Sequence, residues 1–134
     1  MKTVIIDYDR VISGGNPAAR PLVHLTGKFL QIMIDDTEFL LLSSRELTPY
    51  HSDILERFCG ERDIKGSYDG DRKRFNVEEP SLKVKGGGKF DIDTVNKCVR
   101  LYDDSMAYGK FDAEGLKDKV LRMKGLAGYE VVIE

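Results

Sequence analysis

Phe29-Leu30-Gln31-Ile32-Met33-Ile34-Asp35-Asp36-Thr37-Glu38-Phe39-Leu40-Leu41-Leu42 is the stretch on which the fold turns. Phe29–Ile34 and Glu38–Leu42 are nearly continuous apolar runs, the pattern of strands covered on both faces. Asp35-Asp36-Thr37 between them makes a tight connection. Val4–Ile6 upstream reads as a short strand, and residues 13–21, punctuated by Gly and Pro, read as a loop.

Downstream, a helix over 49–59 is predicted. Thr48 is a good N-cap, Pro49 suits the first helical position, and Ile54, Leu55 and Phe58 share one face. Gly60 is a natural stop. Residues 61–80 are polar and read as a solvated loop or irregular insertion, with Arg72-Lys73-Arg74 on a solvated face. Leu82–Lys85, Lys89–Ile92 and Lys97–Tyr102 read as strands. Asp112 can cap a second helix over 112–124, with Leu116, Val120 and Met123 at helical spacing and Gly125 at its end. Tyr129–Ile133 is a final strand. This order implies an α/β fold, one domain over 1–134, with a mixed β-sheet packed between or against two α-helices.

The 134 residues suffice for one domain, and 41% hydrophobic content supports a core without a metal or disulfide staple. With 21 Lys and Arg against 23 Asp and Glu, the net charge of −2 argues against a general nucleic-acid binder. Cys59 and Cys98 have neither the number nor the spacing of a zinc site or disulfide framework. No apolar run approaches a membrane span, and the N-terminus meets Asp7 too soon for a signal peptide. The expectation is a cytoplasmic protein in a reducing compartment.

Two histidines are available for chemistry. His24, in Leu22-Val23-His24-Leu25, reads as structural. His51 falls at the third position of the predicted helix, in an exposed first turn away from the Ile54-Leu55-Phe58 face. Backbone N–H groups there lack intrahelical partners, and the dipole favours anions. The same field disfavours imidazolium, so His51 is expected neutral near pH 7, able to accept a proton or attack phosphorus.

Gly86-Gly87-Gly88 before Lys89 would let backbone amides approach a ligand, or would form a hairpin or bulge. Ser105-Met106-Ala107-Tyr108-Gly109, directly after a strand, suits a loop whose N–H groups face a ligand. Asp35-Asp36, Asp91-x-Asp93 and Asp103-Asp104 read as strand ends and turn openings.

Taken in order, Tyr50-His51-Ser52-Asp53-Ile54, Gly86-Gly87-Gly88-Lys89-Phe90 and Ser105-Met106-Ala107-Tyr108-Gly109 resemble the signature of the phosphohistidine phosphatases, the Janus/Ocnus family. Lys28-Phe29-Leu30 resembles that family's strand-opening lysine. The resemblance runs from about Lys28 to the last strand; residues 1–27 are not clearly covered. It implies metal-independent hydrolysis of the P–N bond of phosphohistidine, without a cofactor. The partner would be a histidine-phosphorylated protein or a small phosphoramidate, with no role for nucleic acid or membrane. It places His51 as the catalytic residue, Lys28 as a phosphate-binding lysine, and Ser105, Met106 and Ala107 as the phosphate-binding loop. Lys89 stands where the animal enzymes have arginine, which keeps the charge and loses the bidentate fork.

Two alternatives stand beside this reading. The same fold could serve as a non-catalytic phosphoprotein- or anion-binding regulatory module. Val4-Ile5-Ile6-Asp7-Tyr8-Asp9-Arg10-Val11 also has the form of the haloacid-dehalogenase motif, in which Asp7 would be the nucleophile and Asp9 the acid/base, with magnesium.

Overall fold

Alternation along β2 (His24–Ile34) and β3 (Thr37–Ser44) divides the interior in two. Leu30, Ile32, Phe39 and Leu41 join one buried cluster, while Phe29, Leu40 and Leu42 join the other. A strand with apolar residues on both faces needs cover on both, which explains the continuous apolar runs. The computed structural model describes residues 2–8, 24–44, 50–70, 74–123 and 126–134.

The fold is mixed α/β, a single domain dominated by strands, with two short helices among the described residues. The other elements are β1 (Lys2–Asp7), α1 (His51–Glu61), β4 (Gly66–Tyr68), β5 (Phe75–Val77), β6 (Leu82–Asp93), β7 (Cys98–Tyr102), α2 (Leu116–Leu121) and β8 (Glu130–Ile133). A six-stranded sheet runs β1-β3-β2-β6-β7-β8, and β4 pairs with β5 in a separate ribbon. The β1–β3 and β7–β8 pairs are parallel and the rest are antiparallel. Helix α1 contributes Ile54, Leu55 and Phe58 to the cluster around Leu30 and Leu41. Helix α2 contributes Leu116 and Val120 to the cluster around Phe29 and Phe90.

Several elements depart from the sequence expectation. Helix α1 begins at His51, with Tyr50 in extended conformation as its N-cap. Asp53 sets this start: its carboxylate accepts the Tyr50 N–H at 3.1 Å, the acidic half of a capping box. His51 is therefore the first helical residue, not the third; Thr48 and Pro49 lie outside the described residues. Gly60 sits inside the helix, because the chain ends it later, with Arg62 N–H on the Cys59 carbonyl and Asp63 in the left-handed region at φ 56°.

The second helix is shorter than predicted. Asp112 does not cap it: its carboxylate accepts the Glu114 N–H and closes a turn upstream, and Gly115 at φ 69° is the N-cap. Leu116, Val120 and Met123 are buried as their spacing requires; Gly125 lies outside the described residues. The two strands expected around the glycine triplet are one strand, β6, running through it. A bulge opposite Gln31 and Ile32 absorbs Lys85. The polar 61–80 segment contains the β4–β5 ribbon, anchored by buried Phe75. Asp35, Asp93 and Asp103 do stand at strand ends, and the Asp93 carboxylate accepts the N–H groups of Val95 and Asn96.

Glu38 is fully buried within an otherwise apolar run. Lys119 Nζ lies 2.7 Å from its carboxylate, Lys85 Nζ 3.7 Å, and Gln31 Nε2 donates at 3.1 Å. Gln31 also exchanges hydrogen bonds with the Asp112 backbone at 2.8 and 3.1 Å. This network ties α2 and the segment before it to β2, β3 and β6. Removing one partner strands the others in a low-dielectric interior. Glu38→Ala is expected to lower stability by about 3–5 kcal/mol in urea unfolding. Arg100→Ala, which removes an exposed ion pair with Glu134, should leave the urea midpoint in place.

Candidate functional site

Gly87 decides how His51 sits. A Cβ on Gly87 would lie 2.6 Å from His51 Cδ2 and 2.8 Å from Nε2. Only a glycine lets the imidazole lie directly on the strand. At Gly88, on the other face, a Cβ would meet the Phe111 ring at 2.8 Å. The triplet thus admits two rings to the sheet rather than wrapping an anion, and the Gly87 N–H is taken by the Gly109 carbonyl at 3.0 Å.

His51 is buried, at 5% exposure, rather than standing in an exposed turn. Its Nε2 lies 2.9 Å from the Gly88 carbonyl oxygen. A carbonyl only accepts, so Nε2 carries the ring proton and donates it, leaving the Nδ1 lone pair in the neutral ring. Burial depresses the His51 pKa below its usual 6.5, and the charge of Lys28 acts in the same sense. The carbonyls of Gly88 and Phe29 and the carboxylate of Asp103 oppose the shift without reversing it. The neutral state expected from the helix dipole thus has burial as its main cause.

Beside the imidazole lies an open cavity of about 350 Å³, lined by Lys28, Tyr50, His51, Ser52, Lys89 and residues 103–107. Every residue assigned to the site from sequence, namely His51, Lys28, Lys89, Ser105, Met106 and Ala107, borders this one space. Lys28 and Lys89 are register partners across β2 and β6, and directly opposed antiparallel residues hold their Cβ atoms about 4.5–5.5 Å apart. Two ammonium groups so placed repel unless an anion joins them. Lys89 Nζ has one in Asp103, at 2.9 Å. Lys28 Nζ stands 5.6 Å from the centre of the Tyr50 ring.

The 105–109 loop closes on itself. Ser105 and Gly109 exchange backbone hydrogen bonds at 3.0 and 2.8 Å, and Ser105 Oγ accepts the Tyr108 N–H at 3.1 Å. The Ser105 N–H is therefore committed within the protein. The Met106 and Ala107 N–H groups at the crest have no hydrogen-bond acceptor among the described residues. Tyr108 reaches the ribbon, donating its hydroxyl to the Phe75 carbonyl at 2.7 Å and accepting the Phe75 N–H at 3.0 Å. Burial pushes that hydroxyl up to about 12. Tyr68 on β4 donates to Asp53 and Glu56 of α1. The ribbon thus braces both the His51 turn and the phosphate-loop candidate, a role its polar sequence did not reveal.

Sequence reasoning missed four lining residues: Tyr50, Ser52, Asp103 and Asp104. Tyr50 and Ser52 flank His51 in the Tyr50–Ile54 motif, and the adjacency of Asp103-Asp104 to Ser105 is the available signal for the acids. Asp7 lies on edge strand β1 and does not line the cavity; Asp9 lies outside the described residues. His24 opens β2, and its side chain is outside the described part. Arg74 packs on the Tyr108 ring and donates to the Ala107 carbonyl at 3.1 Å; Arg72 and Lys73 lie outside the described residues. Among the described residues, no three His, Cys, Asp or Glu side chains are grouped to hold a metal ion, and no helix is long and apolar enough to cross a membrane. Cys59 and Cys98 are free thiols.

A model of the Janus/Ocnus family matches residues 23–124, a span that includes every one of the site residues named above. The chain belongs to the Janus/Ocnus family. No curated protein matches it.

NMR titration should find the His51 imidazole pKa below 6.5, and Lys28→Ala should raise it by removing a repelling charge. The folded state then binds this proton less readily than the unfolded chain. His51's contribution to stability is accordingly full above pH 6.5 and lost as pH falls through the lower folded value. Gly87→Ala should displace the ring and bring its pKa back toward 6.5, with some loss of stability from the forced shift.

Proposed function

We propose that this protein is a metal-independent phosphohistidine phosphatase that hydrolyses the P–N bond of a histidine-phosphorylated protein or small phosphoramidate. The observation that carries the reading is a neutral imidazole, anchored through Nε2–H, beside two juxtaposed lysines on one open cavity. A phosphoryl group brings concentrated negative charge and needs positive charge opposite it. Lys28 and Lys89 supply that charge, and the Met106 and Ala107 N–H groups offer donors to phosphoryl oxygens. Of the three large apolar side chains exposed among the described residues, Tyr50 and Met106 stand at this cavity. They offer apolar contact to the leaving imidazole ring.

In this reading His51 Nδ1 accepts a proton from the attacking water. A depressed pKa keeps that nitrogen unprotonated at pH 7 and extends activity to lower pH than an ordinary histidine would allow. The span matched by the Janus/Ocnus family model, residues 23–124, contains all of these residues.

The test is phosphate release from a phosphohistidine peptide, with and without EDTA. Turnover unaffected by EDTA is expected. His51→Ala should abolish it while the thermal transition persists. Lys28→Ala should cost about tenfold to a hundredfold, the worth of one charge-assisted contact. Lys89→Ala should cost less, because Lys89 is already shared with Asp103. Lys89→Arg should retain or improve activity by restoring a fork. Asp7→Asn should change nothing. Saturable peptide binding without turnover would instead mark a regulatory binding module. Magnesium-dependent turnover of phosphomonoesters, lost in Asp7→Asn, would mark the Asp7–Asp9 chemistry.

A further inference from the structure

An anion trap carries a positive excess, and this cavity does not. Its lining sets Lys28 and Lys89 against Asp103 and Asp104, with His51 neutral. The two signs of charge come from different elements and meet at the Lys89–Asp103 pair. The lysines rise from neighbouring strands, while the two aspartates lie on the segment that enters the 105–109 loop.

Asp103 is held in place. Its φ of 67° lies in the left-handed region, its carbonyl accepts Lys110 Nζ at 3.1 Å, and its own Oδ1 accepts the Asp104 N–H at 2.9 Å. The carboxylate is partly exposed, at 41%, and contacts Lys89. The Lys89 hydrogen bond holds it below the usual carboxylate range, so it is charged throughout neutral pH. A phosphoryl group on Lys89 therefore arrives next to a fixed negative charge. For inorganic phosphate and ordinary phosphomonoesters, the repulsion of Asp103 offsets part of the attraction of the lysines. A protonated phosphoramidate does not, because its bridging side bears a positive charge next to the phosphoryl group.

We infer that Asp103 is a specificity-determining residue that selects phosphoryl groups carried on a basic nitrogen over those carried on oxygen, and that it hastens phosphate departure. This deepens the hydrolytic reading above and rests on it. In the reaction, the water oxygen bonds to phosphorus as the P–N bond breaks. The electron pair of that bond returns to nitrogen, and the amine or imidazole leaves uncharged. One water proton passes to His51 and the other stays on the phosphate. Asp103 favours the N-protonated substrate from which this departure is easiest, and afterwards repels the phosphate left on Lys89.

Asp103→Asn removes the charge and tolerates the left-handed backbone; Asp103→Gly does the same through a residue with no Cβ penalty. For both variants and the native protein, one would measure kcat/KM on a phosphohistidine peptide and on p-nitrophenyl phosphate, together with the Kd of inorganic phosphate. The variants should bind phosphate about fivefold to tenfold more tightly, and the ratio of P–N to P–O turnover should fall by a similar factor. Phosphate affinity that is unchanged or weaker overturns the proposal, since Asp103 would then only position Lys89. An unchanged turnover ratio overturns it as well. If the native protein turns over neither compound, the hydrolytic reading fails. The phosphate arm then decides alone whether Asp103 opposes anion binding.

Discussion

The contact between the His51 imidazole and the bare backbone of β6 is the constraint on which the site depends. The ring occupies the space that a Cβ on Gly87 would fill, and its Nε2–H is fixed on the Gly88 carbonyl. That contact sets the tautomer, buries the ring and lowers its pKa together. It also sets the distance at which α1 can approach the sheet, because His51 is the first residue of that helix. Moving the ring would move the helix start, and with it Tyr50 and Ser52.

The surrounding elements converge on this contact from different parts of the chain. The β2–β6 register places Lys28 opposite Lys89, one pair beyond Gly88. The ribbon holds α1 through Tyr68 and the 105–109 loop through Tyr108. On the far side, the buried Glu38 network secures α2 and the segment before it. The cavity's positive and negative walls thus sit on paired strands and on a loop held by the ribbon.

The sequence made the apolar skeleton legible. Continuous runs at 29–34 and 38–42 and the helical spacing of Ile54, Leu55 and Phe58 follow directly from burial. Six of the residues that line the cavity, Lys28, His51, Lys89, Ser105, Met106 and Ala107, were also legible, through short motifs in a particular order. Other features were hidden for physical reasons. The helix start at His51 is marked by Asp53 at the third helical position, whose carboxylate reaches back to the Tyr50 N–H. The glycines resembled a ligand loop because flexibility and close approach leave the same trace in sequence; only the His51 and Phe111 rings distinguish them. Glu38 stood only as the first residue of the 38–42 run, and two of its partners, Lys85 and Lys119, come from β6 and α2, far along the chain. The polar residues of the ribbon concealed Phe75 and Tyr68.

The state of His51 is the centre of the account, and long-range ¹H–¹⁵N correlation of its ring at pH 7 measures that state directly. A neutral imidazole with the proton on Nε2 and an unprotonated Nδ1 is expected. A ring protonated on Nδ1 alone, or a full imidazolium at pH 7, would contradict it.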